Sequence, residues 1–458
     1  MGRALVVFLL ALAIGGCDEG TSGSVPLSST QQLGDTTFVF SSVPLRGTAT
    51  LREVSRIGMI EGPPEYLLGA SPTFTVGPDG SLFIADRGTL RHYDADGTYV
   101  RTIARRGEGP GEMTSVGGID VSADGLVAAL DRGNRRVNVF SSDGALVREI
   151  RLGTSQSAGV APYGRDALRW DDRGDLWLAL NPPRRGSDTL RARQQRPLFG
   201  RLIDHEEVAD TVFLPTRAWE GCERRLPAYS GGFMEDNRLR NMPFAQWSRT
   251  RMGVLVFGCS ASFSIDVARP DGGVMRASRE WEPPVRTEEE HDFWSATDRL
   301  GVAERRSFNQ ALVSLGRAAE VMPIPEPPIN PRERPAFLRL WLADDGRVWA
   351  WRGAPGRSRS WTEEERSLQL QRLQQLGVSG RELQPRSWEY WNPTDGFDVF
   401  DADGRWIGHV STPETWAAAP YPGQTDPYFR GDTVWAVVEE EFDVRYVVRF
   451  GIDWSSPE

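Results

Sequence analysis

The chain has 458 residues, 39% hydrophobic and 25% charged, an ordinary balance for a folded chain with a sizeable core. Its 53 basic residues are all arginine and its formal charge is −10, so it offers no basic stripe for nucleic acid or an anionic membrane. Glycine (48) and proline (31) favour many turns over long helices, and 16 tryptophans suit packed sheets.

The N-terminus carries one positive charge at Arg3, an apolar run from Ala4 to Ile14, and then Gly15-Gly16-Cys17. A short apolar run followed by small residues reads as a secretory signal peptide, and it is too short to span a bilayer comfortably. Ile14-Gly15-Gly16-Cys17 resembles the lipobox of bacterial lipoproteins. That resemblance implies removal of residues 1–16, a lipid on Cys17, and an exported chain facing the periplasm or the cell exterior. Residues 17–37, rich in Gly, Ser, Thr and Gln, read as a flexible tether, with a propeller domain over 38–458. The other two cysteines are Cys222 and Cys259. Outside the cytoplasm such a pair is expected to be bridged, with two buried thiols as the alternative.

Downstream, one pattern repeats. Phe74-Thr75-Val76-Gly77-Pro78-Asp79-Gly80-Ser81-Leu82-Phe83-Ile84-Ala85-Asp86-Arg87-Gly88 returns as a window from Ile119 to Gly133. Each window is a short strand, an Asp-Gly turn, a second strand and an Asp-Arg-Gly exit. A third strand, a turn and a fourth strand follow, ending at Tyr99–Ile103 and Leu146–Ile150. Four antiparallel strands in about 45 residues make one propeller blade. Drifted copies of the first hairpin precede Asp175-Leu176-Trp177, Val254-Leu255-Val256, Arg347-Val348-Trp349 and Thr433-Val434-Trp435, giving six blades. The sixth runs out of chain, and Leu51–Gly58 is expected to supply its missing strand and to protect edges otherwise left open.

The fold class is thus all-β, a six-bladed propeller of four-stranded blades. The Asp-Gly turns, Asp86, Asp131, Asn134-Arg135-Arg136-Val137 and the connector Gly107-Glu108-Gly109-Pro110-Gly111-Glu112-Met113 resemble NHL repeats and related bacterial six-bladed propeller lipoproteins. Two insertions break the pattern, at about 287–320 and 362–377. Each opens with a Thr-Glu-Glu-Glu capping box and continues at helical spacing.

Two functions compete. One is a non-enzymatic binding or scaffold module for an envelope protein, a peptide or a small ligand, joined to the membrane through its lipid alone. The other is a metal-dependent hydrolase of the lactonase or gluconolactonase type, which holds a divalent ion in the central channel with ligands from several blades. Aligning the blades on Asp86 gives Asp131, Leu180, Cys259, Arg352 and Val438. Aligning on Thr75 gives Asp120, Arg169, Ser248, Trp341 and Pro427. Neither set is a cage for a hard cation.

His92, His205, His291 and His409 are scattered, and no Gly-x-Ser-x-Gly elbow occurs. The sequence assigns no catalytic residue, no metal ligand and no cofactor. Candidates for the ligand face are Asp86, Asp131, Arg135 and Arg352. Asp120 and Arg169, in adjacent blades, are candidates for a pair in the channel. For Asp86 and Asp131 the alternative is structural, since a strand-end Asp accepts hydrogen bonds from backbone nearby.

Overall fold

The computed structural model describes residues 28–69, 71–152, 167–180, 198–202, 208–213, 245–249, 253–259, 262–318, 321, 336–353, 357–375, 388–391, 394–413, 415–416, 426–440 and 444–455. Six antiparallel blades follow one another along the chain. The first has the strands Thr73–Val76, Leu82–Asp86, Thr89–Tyr93 and Tyr99–Ala104. The second has Val116–Val121, Val127–Asp131, Arg136–Phe140 and Leu146–Arg151. The third has Leu168–Trp170, Leu176–Leu180, Leu198–Leu202 and Val208–Phe213, and the fourth Ala245–Arg249, Leu255–Cys259, Ser264–Ala268 and Val274–Arg279. The fifth has Arg339–Leu342, Val348–Gly353, Thr394–Phe400 and Trp406–Ser411. In the sixth, Tyr428–Arg430, Thr433–Glu439 and Arg445–Trp454 are completed by Gly47–Ile57, which pairs antiparallel with Arg445–Trp454.

Local sequence explains the hairpins. First-to-second turns span 77–81, 122–126, 171–175 and 343–347, each built around a glycine. Gly80 and Gly125 sit at φ +88° and +87°, a region where a β-carbon would be strained. Asp94, Asp171 and Asp401 cap their turns by accepting from backbone N–H groups two and four residues on. Arg87 and Gly88, at φ +50° and +82°, make the two-residue turn whose twist matches the flanking strands.

Packing lies between blades. Separate apolar clusters join the first blade to the second, the second to the third, the fourth to the fifth, the fifth to the sixth and the sixth to the first. The cluster between blades five and six is aromatic. Trp349 stacks on Phe429 at 4.2 Å, and Phe397 meets Trp341, Trp349 and Trp416 edge-on. Both insertions are helical. Helix α1, Glu288–Ser314, is capped by Thr287, whose side chain accepts from the Glu290 N–H. Helix α2, Glu363–Gln375, starts at Thr362, which exchanges hydrogen bonds with Glu365 in a capping box.

The N-terminal segment differs from the sequence expectation. The tether expected to reach residue 37 ends sooner, because Ser28–Leu33 and Thr36–Ser41 form a hairpin. Thr36–Ser41 then adds in parallel to the outer strand of blade four. The alternation Thr36-Thr37-Phe38-Val39-Phe40 buries Val39 in the core between blades four and five. From there the chain follows the outer rim. Leu45 and Arg46 donate to the carbonyls of Trp406 and Ile407, and Gly47–Thr50 pairs in parallel with the outer strand of blade five. One N-terminal stretch therefore belts blades four, five and six. Residues 1–16, the proposed lipid site Cys17 and Cys222 lie outside the described residues, as does the side chain of Cys259.

Candidate ligand face

Because strands alternate in direction, the ends of second strands and of fourth strands open on the same side of the propeller as the following connections. On the opposite side the turns are short and nearly uniform: 77–81, 94–98, 122–126, 141–145, 171–175, 269–273, 343–347 and 401–405. The connections on the first side vary widely. They include 181–197, 214–244, the segment 280–338 with α1, and the segment 354–393 with α2. Asp86, Asp131 and Arg352 close second strands on this side, and Arg135 stands in the next turn of blade two.

The structure gives each of these residues local contacts. Asp86 is buried and accepts from the Gly69 N–H at 2.8 Å. Asp131 is fully buried and accepts from the Thr114 and Ser115 N–H groups at 3.2 and 3.1 Å, and from Asn134 Nδ2 at 2.6 Å. In both blades the carboxylate latches the incoming connector to the second strand. Arg135 is exposed at φ +54°, and its carbonyl accepts from the Leu152 N–H. Arg352 lies 3.7 Å from both Asp395 and Asp398.

Sequence reasoning passed over Arg136. Its Nη2 donates to the carbonyls of Gly109 and Glu112 at 2.7 Å each, and its Nη1 to Glu149 at 2.8 Å. With Asn134 donating to the Gly107 carbonyl and Asn138 to that of Glu112, it fixes the Gly-rich connector 107–113. The dense Asn-Arg-Arg-Val-Asn run was the available signal.

Near the axis, the Trp170 N–H donates to Asp120 at 2.8 Å, so Asp120 joins blade two to the backbone of blade three. Arg169, almost fully buried, lies 3.7 Å from Asp344 of the fifth blade. Asp344 also accepts from the Tyr428 hydroxyl at 3.4 Å. Arg430 donates to that hydroxyl and to the Gly77 carbonyl of blade one. A polar chain thus runs from blade three through blades five and six to blade one. Tyr428, and not Pro427, stands opposite Trp435, as Trp341 stands opposite Trp349. The turn Gly431-Asp432 is shorter than the five-residue turns of the other blades, which shifts the register by one.

A third polar group sits between blades four and five. Fully buried Asp398 accepts from Arg279 Nη2 at 2.6 Å and lies 3.2 Å from His409 Nδ1. Burial pushes the Asp398 carboxyl up, but His409, Arg279 and Arg352 together outweigh burial and hold it below the usual carboxylate range. Arg279 also lies over the rings of Phe263 at 4.2 Å and Trp406 at 4.6 Å. On the outer rim a cleft of about 410 Å³ is lined by Gln32, Asp35, Arg269, Met275, Asp403 and Arg405, among others. Among the described residues no three His, Cys, Asp or Glu side chains converge on a metal geometry. Among the same residues no helix is long and apolar enough to cross a membrane.

Residues 78–175 match the DUF5128 family, described as a 6-bladed beta-propeller. No curated protein matches the chain in sequence. Among solved structures, the chain is similar to a member of the DUF4221 family from Bacteroides vulgatus, at 11% identity over 90% of this chain and 100% of that one, TM-score 0.48. It is similar to a virginiamycin B lyase from Staphylococcus aureus at 11% identity, covering 87% and 98%, TM-score 0.33. It is also similar to a gluconolactonase from Xanthomonas campestris at 11% identity, covering 87% and 98%, TM-score 0.33. On its own strand order and on the family match, the chain is a six-bladed β-propeller.

Proposed function

We propose that the chain is exported, is held to a membrane by a lipid on Cys17, and works as a non-enzymatic binding propeller. Its ligand, an envelope protein, peptide or small molecule, meets the side that carries the long connections. One observation carries this reading: short turns occupy one side, and the long connections, with both helices, are gathered on the other. A rigid scaffold that varies its loops on one side is the usual arrangement for recognition. The strand-end carboxylates Asp86 and Asp131 spend their oxygens on backbone N–H groups, which gives them scaffold work and leaves contact to the loops.

The test has two parts. Metabolic labelling with a palmitate analogue in the source bacterium is expected to mark the wild type and to leave Cys17→Ser unmarked. Photo-crosslinking residues placed at exposed Arg135 and Leu368 are expected to capture a partner, and one placed at Asp124, on the opposite side, is not. Adducts from Asp124 alone would overturn the assignment of the face.

A further inference from the structure

The N-terminal hairpin widens blade four to six strands, and Ser28–Leu33 is the outermost of them. In an antiparallel pair every second residue turns its N–H and C=O away from its neighbour, so about three residues of this strand present unpaired backbone at the rim. No backbone hydrogen bond joins residues 28–33 to another element among the described residues. An open edge of this kind is a template for a further extended chain, and proteins block it with charge, proline, a bulge or a covering segment.

The other outer strands are blocked in these ways. Tyr99–Ala104 carries Arg101, Leu146–Arg151 carries Arg148, Glu149 and Arg151, and Val208–Phe213 carries Asp210. The pairing of each with the third strand of its blade also contains a register shift. In blade five the outer strand is covered by Gly47–Thr50, and the rest of that belt carries Arg52, Glu53 and Arg56. Ser28-Ser29-Thr30-Gln31-Gln32-Leu33 has no charge and no proline, and it pairs without a shift.

One face of this open strand walls a cleft. Thr30 stands opposite Val39, which packs in the core toward blade five, so Thr30 and Gln32 look the same way. They line the rim cleft of about 410 Å³, together with Asp35, Arg269 and the Asp403 and Arg405 of the outer turn of blade five. Both carboxylates in it are engaged: Asp35 accepts from the Thr36 hydroxyl, and Asp403 lies 3.9 Å from Arg405. Arg269 is exposed and its guanidinium has no partner among the described residues, so the charge left to answer is positive.

We infer that the free edge of Ser28–Leu33 and the cleft on its face form a second docking site, at the outer rim and apart from the side with the long connections. Its occupant is an extended segment of a partner protein that carries one acidic side chain. Main-chain bonds to the open edge attach the segment, and the cleft selects it. An added strand turns alternate side chains to the same face as Thr30 and Gln32, and a carboxylate there meets Arg269 in a charge-assisted pair. A second copy of the chain pairing through the same strand brings only Ser, Thr, Gln and Leu, and leaves Arg269 unanswered.

The test pans a random nonapeptide library, displayed on phage, against the purified full chain. Selected peptides are expected to share an acidic residue at one fixed position. With such a peptide bound, amides over 28–33 are expected to exchange several-fold more slowly, with the 141–145 turn of blade two unchanged. Arg269→Glu lies in an exposed turn and is expected to keep the fold, to weaken these peptides by about tenfold or more, and to bind again when their acidic residue is changed to arginine. Binding that leaves 28–33 unprotected overturns the edge, and binding indifferent to Arg269→Glu overturns the acidic occupant. Protection of 28–33 that rises with protein concentration, without peptide, assigns the edge to a second copy and overturns the partner segment. A library that yields no peptide protecting 28–33 overturns the site.

Discussion

Arg279 Nη2 meets Asp398 Oδ2 at 2.6 Å across the boundary of blades four and five, with the carboxylate fully buried and the guanidinium laid over Phe263 and Trp406. The pair joins the outer strand of one blade to the third strand of the next. Asp398→Ala would leave Arg279 buried opposite a void, and breaking one side of such a pair costs about 3–5 kcal/mol. Guanidinium unfolding of the variant is expected to show a loss of that order.

The same carboxyl sets an acid limit. Its folded pKa lies below its unfolded one, which is about 4. A group shifted in that direction contributes its stability in full above the unfolded value and loses it as pH falls through the folded value. The stability advantage of the wild type over Asp398→Asn is therefore expected to hold from neutral pH down to about pH 4 and to shrink below it. Urea midpoints measured across the acid range check this; an advantage that grows on acidification would contradict the assignment.

Asp86 and Asp131 stand at matching positions but carry different loads. Asp131 receives two backbone N–H groups and the Asn134 amide, where Asp86 receives the Gly69 N–H. Replacing each by alanine is expected to cost about 2–4 kcal/mol at Asp131 and about 1–2 kcal/mol at Asp86. The order of the two denaturation midpoints is the readout.

Gly408 touches the belt. A β-carbon there would overlap the carbonyl oxygen of Gly47 and press on the Trp454 ring at 2.8 Å. Gly408→Ala is expected to lift residues 47–50 from the outer strand of blade five, at a cost of about 1–3 kcal/mol. Faster amide exchange at 47–50, with blades one and two unaffected, would be the signature.

The regular blades were legible in the sequence because their signals are local. An Asp-Gly pair between alternating apolar runs dictates its own turn, and Thr-Glu-Glu-Glu dictates its own helix start at Thr287 and Thr362. Partners set by distance were not legible. Thr36–Ser41 alternates like any strand, but nothing in those residues names Val274–Arg279 as its neighbour. Likewise nothing along the chain names the Trp170 N–H as a donor to Asp120, or Asp344 two blades on as a neighbour of Arg169. The charged group around Asp398 draws on strands from two blades, a convergence that no spacing along the chain encodes.

The belt also bears on the order of events during biogenesis. The Ser455 hydroxyl donates to the Thr48 carbonyl, 407 positions apart in sequence. The strand Gly47–Ile57 is made before any blade and paired with blade six last, because its partner Arg445–Trp454 is the last strand of the ring. Contacts of such separation slow folding, since the loop must close before the pairing repays its entropy. A ring that cannot close until its last strand emerges stays open throughout synthesis, so closure is a late step of folding.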